Sequence, residues 1–221
     1  LPAYAWNKAR WWHEAPDMRE SRLSPGGKGL LETRLSRAIP TWVTHLDERH
    51  MAYLRDHRVD NRIVFPAAGF IEMALEAGTQ LFEGRAFVLE EFEIRKPLII
   101  PENPEGISLE LSFDPQDRSL CIQSRPEGST SWSVHAVGSL RAERVESGFE
   151  TAQWTEPSAV LDPVDVEENY EHKRSRGLPY GPEFRSARRI FARDGRSAGE
   201  VSLSEKAEPR ATEYALHPVI L

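Results

Sequence analysis

Asp56-His57-Arg58-Val59-Asp60-Asn61-Arg62-Ile63-Val64-Phe65-Pro66 runs directly into Ala67-Ala68-Gly69-Phe70-Ile71-Glu72-Met73-Ala74-Leu75-Glu76-Ala77-Gly78-Thr79-Gln80-Leu81-Phe82. The first run sets an imidazole just ahead of a short apolar segment of β type, residues 62–65. Pro66 then opens a helical pattern, where a missing N–H costs nothing because the first turn leaves that group unbonded. Across 67–82, Phe70, Met73, Ala74, Ala77 and Leu81 recur at steps of three and four. Glu72, Glu76 and Gln80 fall elsewhere on the wheel. The apolar face is wide, which predicts a helix wrapped by a sheet. A histidine at the mouth of such a helix is placed to remove a proton from a substrate carbon.

Working outward, residues 42–46 alternate in strand fashion, and 48–57 read as a short helix or turn. Four strand-like runs follow the helix, at 86–94, 107–113, 120–124 and 131–141, with Pro and Gly turns between them. One long helix followed by an antiparallel meander is the pattern of a hot-dog fold, in which a curled sheet encloses a central helix. Beyond a polar, Pro-bearing stretch the sequence begins again in a similar way. Residues 164–176 read as helix, 184–192 and 198–203 as strands, and 214–221 as the approach to another element. The fold class is therefore α+β, a double hot dog whose second copy is incomplete in this sequence. The expected boundaries are a tether over 1–35, a first hot dog over 36–144, a linker over 145–163 and the start of a second hot dog over 164–221. The Trp6, Trp11 and Trp12 cluster is read as a staple for the tether.

The bulk composition narrows the function classes. With 221 residues, 39% apolar and 29% charged, the chain is an ordinary globular sequence. A net charge of −7 disfavours a nucleic-acid surface. The single cysteine, Cys121, excludes an internal disulfide and a cysteine-based zinc site, and its neighbours read as strand. The start of the sequence has no signal-peptide pattern, and no apolar run approaches the roughly 20 residues of a membrane span, so a cytoplasmic location is expected. No HExxH, cysteine pair or glycine-rich phosphate loop is present, so neither a metal nor a nucleotide cofactor is expected.

His57 is the first candidate for chemistry. Backbone N–H groups at the start of the following helix, with its dipole, can polarise a thioester carbonyl. A neutral imidazole beside them could take the α-proton that this polarisation acidifies. Arg185, Arg188, Arg189 and Arg193 form a basic run, read either as a solvated face or as a docking patch for an acidic partner or a phosphate.

Several of these stretches resemble the dehydratase domains of type I polyketide synthases. His57-x3-Asn61-x4-Pro66 is similar to that family's His-x3-Gly-x4-Pro motif. Gly177-Leu178-Pro179-Tyr180-Gly181-Pro182-Glu183-Phe184 resembles its Tyr-Gly-Pro-x-Phe signature. Leu216-His217-Pro218-Val219-Ile220-Leu221 looks like the approach to its catalytic aspartate. Trp132-Ser133-Val134-His135-Ala136-Val137-Gly138 resembles the strand that closes the first hot dog, and the opening Leu-Pro-x-Tyr-x-Trp resembles the linker from an upstream domain. Phe65-Pro66-Ala67-Ala68-Gly69-Phe70 and Tyr4-Ala5-Trp6-Asn7 lean towards the highly reducing iterative subtype. The likeness covers nearly the whole sequence, and four motifs in order weigh more than any one.

The resemblance implies a hydro-lyase that eliminates water from a 3-hydroxyacyl thioester. The substrate would ride on the phosphopantetheine arm of an acyl carrier protein, with no cofactor in the domain itself. His57 would be the general base, and an aspartate just past Leu221 the acid. Tyr180, Gly181, Pro182, Pro66 and Asn61 would shape the active-site wall, and Arg185, Arg188 and Arg189 would contact the carrier. Neighbouring synthase domains are implied as partners, and so is a two-fold homodimer that the composition does not demand. Asn61 departs from the family's glycine. Asparagine is the next best residue at a positive φ, so a turn substitution is one reading and an altered pocket the other. Asp162, Asp165 and Asp194 match no motif for the acid. A dehydratase-like cyclase that forms an oxygen heterocycle, and a silent structural domain, stay open as alternatives.

Overall fold

The computed structural model describes residues 29–35, 37–46, 48–102, 106–143 and 160–220. The tryptophan cluster, Tyr4–Asn7, the linker over 145–159 and Leu221 lie outside these residues. In chain order the first unit comprises β1 (Thr33–Leu35), β2 (Thr41–His45), α1 (Glu48–Leu54), β3 (Arg58–Val59), β4 (Arg62–Val64), α2 (Ala67–Phe82), β5 (Phe87–Ile94), β6 (Ile99–Ile100), β7 (Ile107–Phe113), β8 (Ser119–Pro126) and β9 (Ser133–Ala142). Six of the strands form one antiparallel sheet in the order β1-β2-β7-β8-β9-β5, curled around α2. Strand alternation sends Leu109, Leu111, Leu120, Ile122 and Leu140 inward against Phe70, Met73, Ala74 and Ala77 of the helix. Each large side chain buried in this way contributes about 1.5–3 kcal/mol.

The helix is enclosed on more sides than its apolar spacing suggests. Glu72 is fully buried, and its two carboxylate oxygens accept the backbone N–H groups of Ala215 and Leu216, both at 2.7 Å. One turn on, Glu76 accepts the N–H groups of Leu30 and Leu31, both at 2.9 Å. These carboxylates are internal acceptors that tie two remote chain segments to the central helix. Burial raises both from the usual carboxylate range, Glu76 to about 7.

A second, smaller sheet, β3-β4-β6, prepares the site. β3 and β4 form a hairpin closed by Asp60 and Asn61, with Val59 opposite Arg62. Both turn residues have positive φ, 46° and 63°, the geometry of a two-residue type I′ turn.

The second unit comprises β10 (Asp162–Val164), α3 (Val166–Ser175), β11 (Ala187–Arg193) and β12 (Arg196–Val201), with sheet order β10-β11-β12. Asp165 caps α3 by accepting the N–H of Glu168. Asp194-Gly195 closes the β11–β12 hairpin with both φ positive. Pro182–Phe184 is a 3-10 turn rather than the start of a strand, so β11 begins three residues later than the apolar pattern suggests.

Two of the expected boundaries shift. Leu30 and Leu31 are buried in the core, and β1 pairs with β2, so the first unit reaches back into the stretch assigned to the tether. Likewise Asp162 and Pro163, assigned to the linker, pair with Ala192 and Phe191 of the second sheet. Short pairing segments such as β1, β3, β6 and β10 carry too few residues for an alternation to stand out.

Candidate active site

His57 sits between α1 and β3, and the hairpin that follows folds back upon it. Its main-chain N–H donates to Leu54 O at 3.0 Å, and its carbonyl accepts from Val64 N at 3.1 Å. The ring repeats the tie, because Nδ1 lies 2.7 Å from the carbonyl of Val64. A carbonyl oxygen can only accept, so Nδ1 carries the proton and Nε2 keeps its lone pair. The imidazole stacks on Tyr180 with ring centroids 5.2 Å apart and interplanar angle 21°, and meets Phe184 at 4.8 Å. Burial lowers the His57 pKa, and the Val64 hydrogen bond opposes this in part. The neutral ring is thus the resident form near pH 7.

His57 lines a cavity of about 350 Å³ formed between the two units. From the first unit, Pro66, Ala67 and Ala68 bring the start of α2 to the wall. Pro66 occupies the cap position and supplies no side-chain acceptor; its carbonyl accepts the N–H of Gly69 at 2.9 Å, so Ala67 and Ala68 present the N–H groups at the helix start. The positive end of the helix dipole therefore meets the cavity beside the basic nitrogen. From the second unit come Tyr170 and Lys173 of α3, then Tyr180, Phe184 and Ser186. Burial, with a smaller contribution from Tyr170, raises the Tyr180 pKa, so its phenol keeps its proton as a donor. Pro218, Val219 and Ile220 complete the wall. Among the described residues no carboxylate lines this space.

His57, Pro66 and Tyr180 thus come together at one cavity. Gly181 and Pro182 shape the turn beside it without lining it, and Asn61 projects at the exposed tip of the β3–β4 hairpin. Its positive φ accounts for asparagine there as a turn residue. The three alternative acids are otherwise engaged. Asp165 caps α3, Asp162 pairs with Arg193 at 2.5 Å, and Asp194 sits in a tight turn. The basic run is largely compensated as well, with Arg185 paired to Glu167 and Arg189 to Glu200. Arg188 donates to Ser202 Oγ and the Leu203 carbonyl. His217, read as a turn former, is buried with Nδ1 accepting from Val219 N at 3.3 Å, and burial lowers its pKa to about 4.

Sequence reading overlooked Tyr170 and Lys173. Three apart on α3, they fall on one helical face, and the Lys173 ammonium lies 5.0 Å from the centroid of the Tyr170 ring. That i, i+3 spacing was the available signal.

Comparison with known proteins places this geometry. A family model described as polyketide synthase dehydratase domain matches residues 29–125, and one described as polyketide synthase dehydratase N-terminal domain matches residues 150–221. Polyketide synthase GfsE of Streptomyces halstedii is 34% identical across all of this chain, which spans 6% of that protein. The dehydratase domain from the CurF module of curacin polyketide synthase superposes with a TM-score of 0.77 at 25% identity, covering 88% of this chain and 73% of that one. The CurK dehydratase of the same synthase gives 0.72 at 28% identity, covering 86% and 69%. Two further CurK structures with the same values are described as inactive variants, one with Asp replaced by Asn and one with His by Phe. With the enclosed helix, the double-unit cavity and the His57 to Pro66 run, these matches identify the chain as a member of the polyketide synthase dehydratase domain family, with a double hot-dog fold.

Proposed function

We propose that this chain eliminates water from a 3-hydroxyacyl thioester carried on an acyl carrier protein, leaving the enoyl thioester. The observation that carries the reading is the tautomer of His57, with Nδ1–H fixed on Val64 O and a basic Nε2 in a cavity that also holds the start of α2. The thioester carbonyl accepts from the first N–H groups of α2, which acidifies the α-carbon. Nε2 takes the α-proton as that C–H bond breaks. The electron pair forms the new double bond, and the C–O bond at the β-carbon breaks. A carboxylic acid protonates the departing hydroxyl, which leaves as water. We assign that acid to an aspartate just past Leu221, because Pro218, Val219 and Ile220 already run along the cavity wall. Tyr180 donates its phenolic hydrogen to the substrate hydroxyl or to the acid.

The inactive His and Asp variants of the CurK dehydratase support a base and acid of these two residue types. No redox step occurs, so the elimination balances without a cofactor in this domain. The partners in this reading are the carrier protein and the neighbouring synthase domains, with Arg188 as the basic-run residue left for carrier contact. The highly reducing subtype rests on the sequence around Phe65 and Tyr4 alone. Mass spectrometry of the whole natural polypeptide, incubated with a 3-hydroxyacyl pantetheine thioester, tests the reading. Loss of one water is expected. An unchanged mass would leave the silent domain, whereas a product one water lighter but without enoyl absorbance, formed from a substrate with a second, distal hydroxyl, would leave an oxygen-heterocycle former.

A further inference from the structure

The residue immediately before the base ties the two units together through two hydrogen bonds, and the mechanism above does not use it. Asp56 accepts the backbone N–H of Gly181 on its main-chain oxygen at 2.8 Å. Its side-chain Oδ2 accepts the N–H of Glu183, also at 2.8 Å, across 127 residues of sequence. The contact is so close that a Cβ on Gly181 would lie 2.4 Å from Asp56 Cγ, well inside van der Waals range. A few residues on, the N–H of Asp60 donates to Gly177 O at 2.7 Å, fastening the far end of the same segment. The two loops, 56–60 and 177–183, are therefore pinned at both ends.

The pinned turn carries Tyr180 and Phe184, the two rings that flank the imidazole. Among the described residues the His57 ring makes one hydrogen bond, to Val64 O, and its ring contacts are with Tyr180 and Phe184. We infer that Asp56 is the positioning residue for His57, holding the Tyr180–Phe184 turn against the imidazole so that Nε2 points into the cavity. This rests on the dehydratase reading for its kinetic consequence and on geometry alone for its structural one. What Asp56 supplies is a hydrogen-bond acceptor, so asparagine should serve in its place and alanine should not.

Two readouts on the whole natural polypeptide test this. With Asp56→Ala, kcat for water loss is expected to fall on the order of 10- to 100-fold, as for a displaced catalytic group, with KM within about two-fold. Carbethoxylation of His57 by diethylpyrocarbonate, followed by peptide mapping against exposed His45, is expected to quicken several-fold as the flanking rings loosen. Asp56→Asn should restore both values. Gly181→Ala, which leaves Asp56 in place but forces the turn away, should reproduce both changes and serves if Asp56→Ala does not fold. Wild-type kcat and His57 reactivity in Asp56→Ala or Gly181→Ala would overturn the inference. So would an Asp56→Asn variant as impaired as alanine. If the wild type releases no water, the dehydratase reading falls, and the carbethoxylation arm still decides the role of Asp56.

Discussion

Val64 O stands 2.7 Å from His57 Nδ1, and this contact fixes which nitrogen of the imidazole is basic. The carbonyl belongs to the strand that ends at Pro66, so tautomer and helix start are set by one short segment. Burial of the ring lowers its pKa from 6.5. A base works only when unprotonated, so activity is lost as pH falls through the pKa of the folded enzyme. The acid limb of kcat/KM is therefore expected below 6.5. Phe184→Ala, which opens the ring to water, should move that limb upward towards 6.5. A pH–rate profile of both proteins checks the direction.

Asn61 is predicted to matter for the hairpin rather than for the pocket. Its φ of 63° follows the 46° of Asp60, and its side chain is exposed. Asn61→Gly should leave the urea midpoint of unfolding essentially unchanged. Asn61→Ala should cost about 1 kcal/mol, because alanine tolerates the left-handed region poorly.

Glu72 holds Ala215 and Leu216 through two hydrogen bonds at 2.7 Å, and it is fully buried. Glu72→Ala leaves both N–H groups without this acceptor and opens a void in the core. Equilibrium unfolding should show a loss of about 2–4 kcal/mol. Glu72→Gln, which keeps one accepting oxygen, should lose less.

Glu76 gives a prediction in pH. Its carboxyl is raised from 4.5 to about 7 in the folded chain, chiefly by burial. Between those values the folded state holds a proton that the unfolded state has released. The stability this contributes is present below about 4.5 and is lost as pH rises through about 7. Glu76→Gln removes the dependence. The variant's stability relative to wild type should therefore climb between about pH 5 and about pH 8, as read from denaturant midpoints.

Periodicity made the central helix legible, because Phe70, Met73, Ala74 and Ala77 repeat at helical steps and are all buried. The same reasoning placed Glu72 and Glu76 away from the packed face, and there it failed. Their partners are backbone N–H groups about 140 and 45 residues away, and a helical wheel carries no information about such contacts. The candidate base was legible because His57 directly precedes a strand, a proline and a helix. Its ring partners Tyr180 and Phe184 lay within a recognisable Tyr-Gly-Pro-x-Phe run. The Asp56 clamp was not legible, since it depends on two main-chain groups meeting across the units.

The central claim is that His57 Nε2 takes the α-proton. A 3-hydroxyacyl pantetheine thioester deuterated at the α-carbon, given to the wild-type polypeptide and to His57→Ala, tests it most directly. The wild type should release water and lose deuterium from the abstracted position, while His57→Ala, equally folded, should do neither at a measurable rate. Water loss and deuterium release by His57→Ala within about ten-fold of the wild type would contradict the account, because general-base catalysis contributes roughly 100- to 10,000-fold.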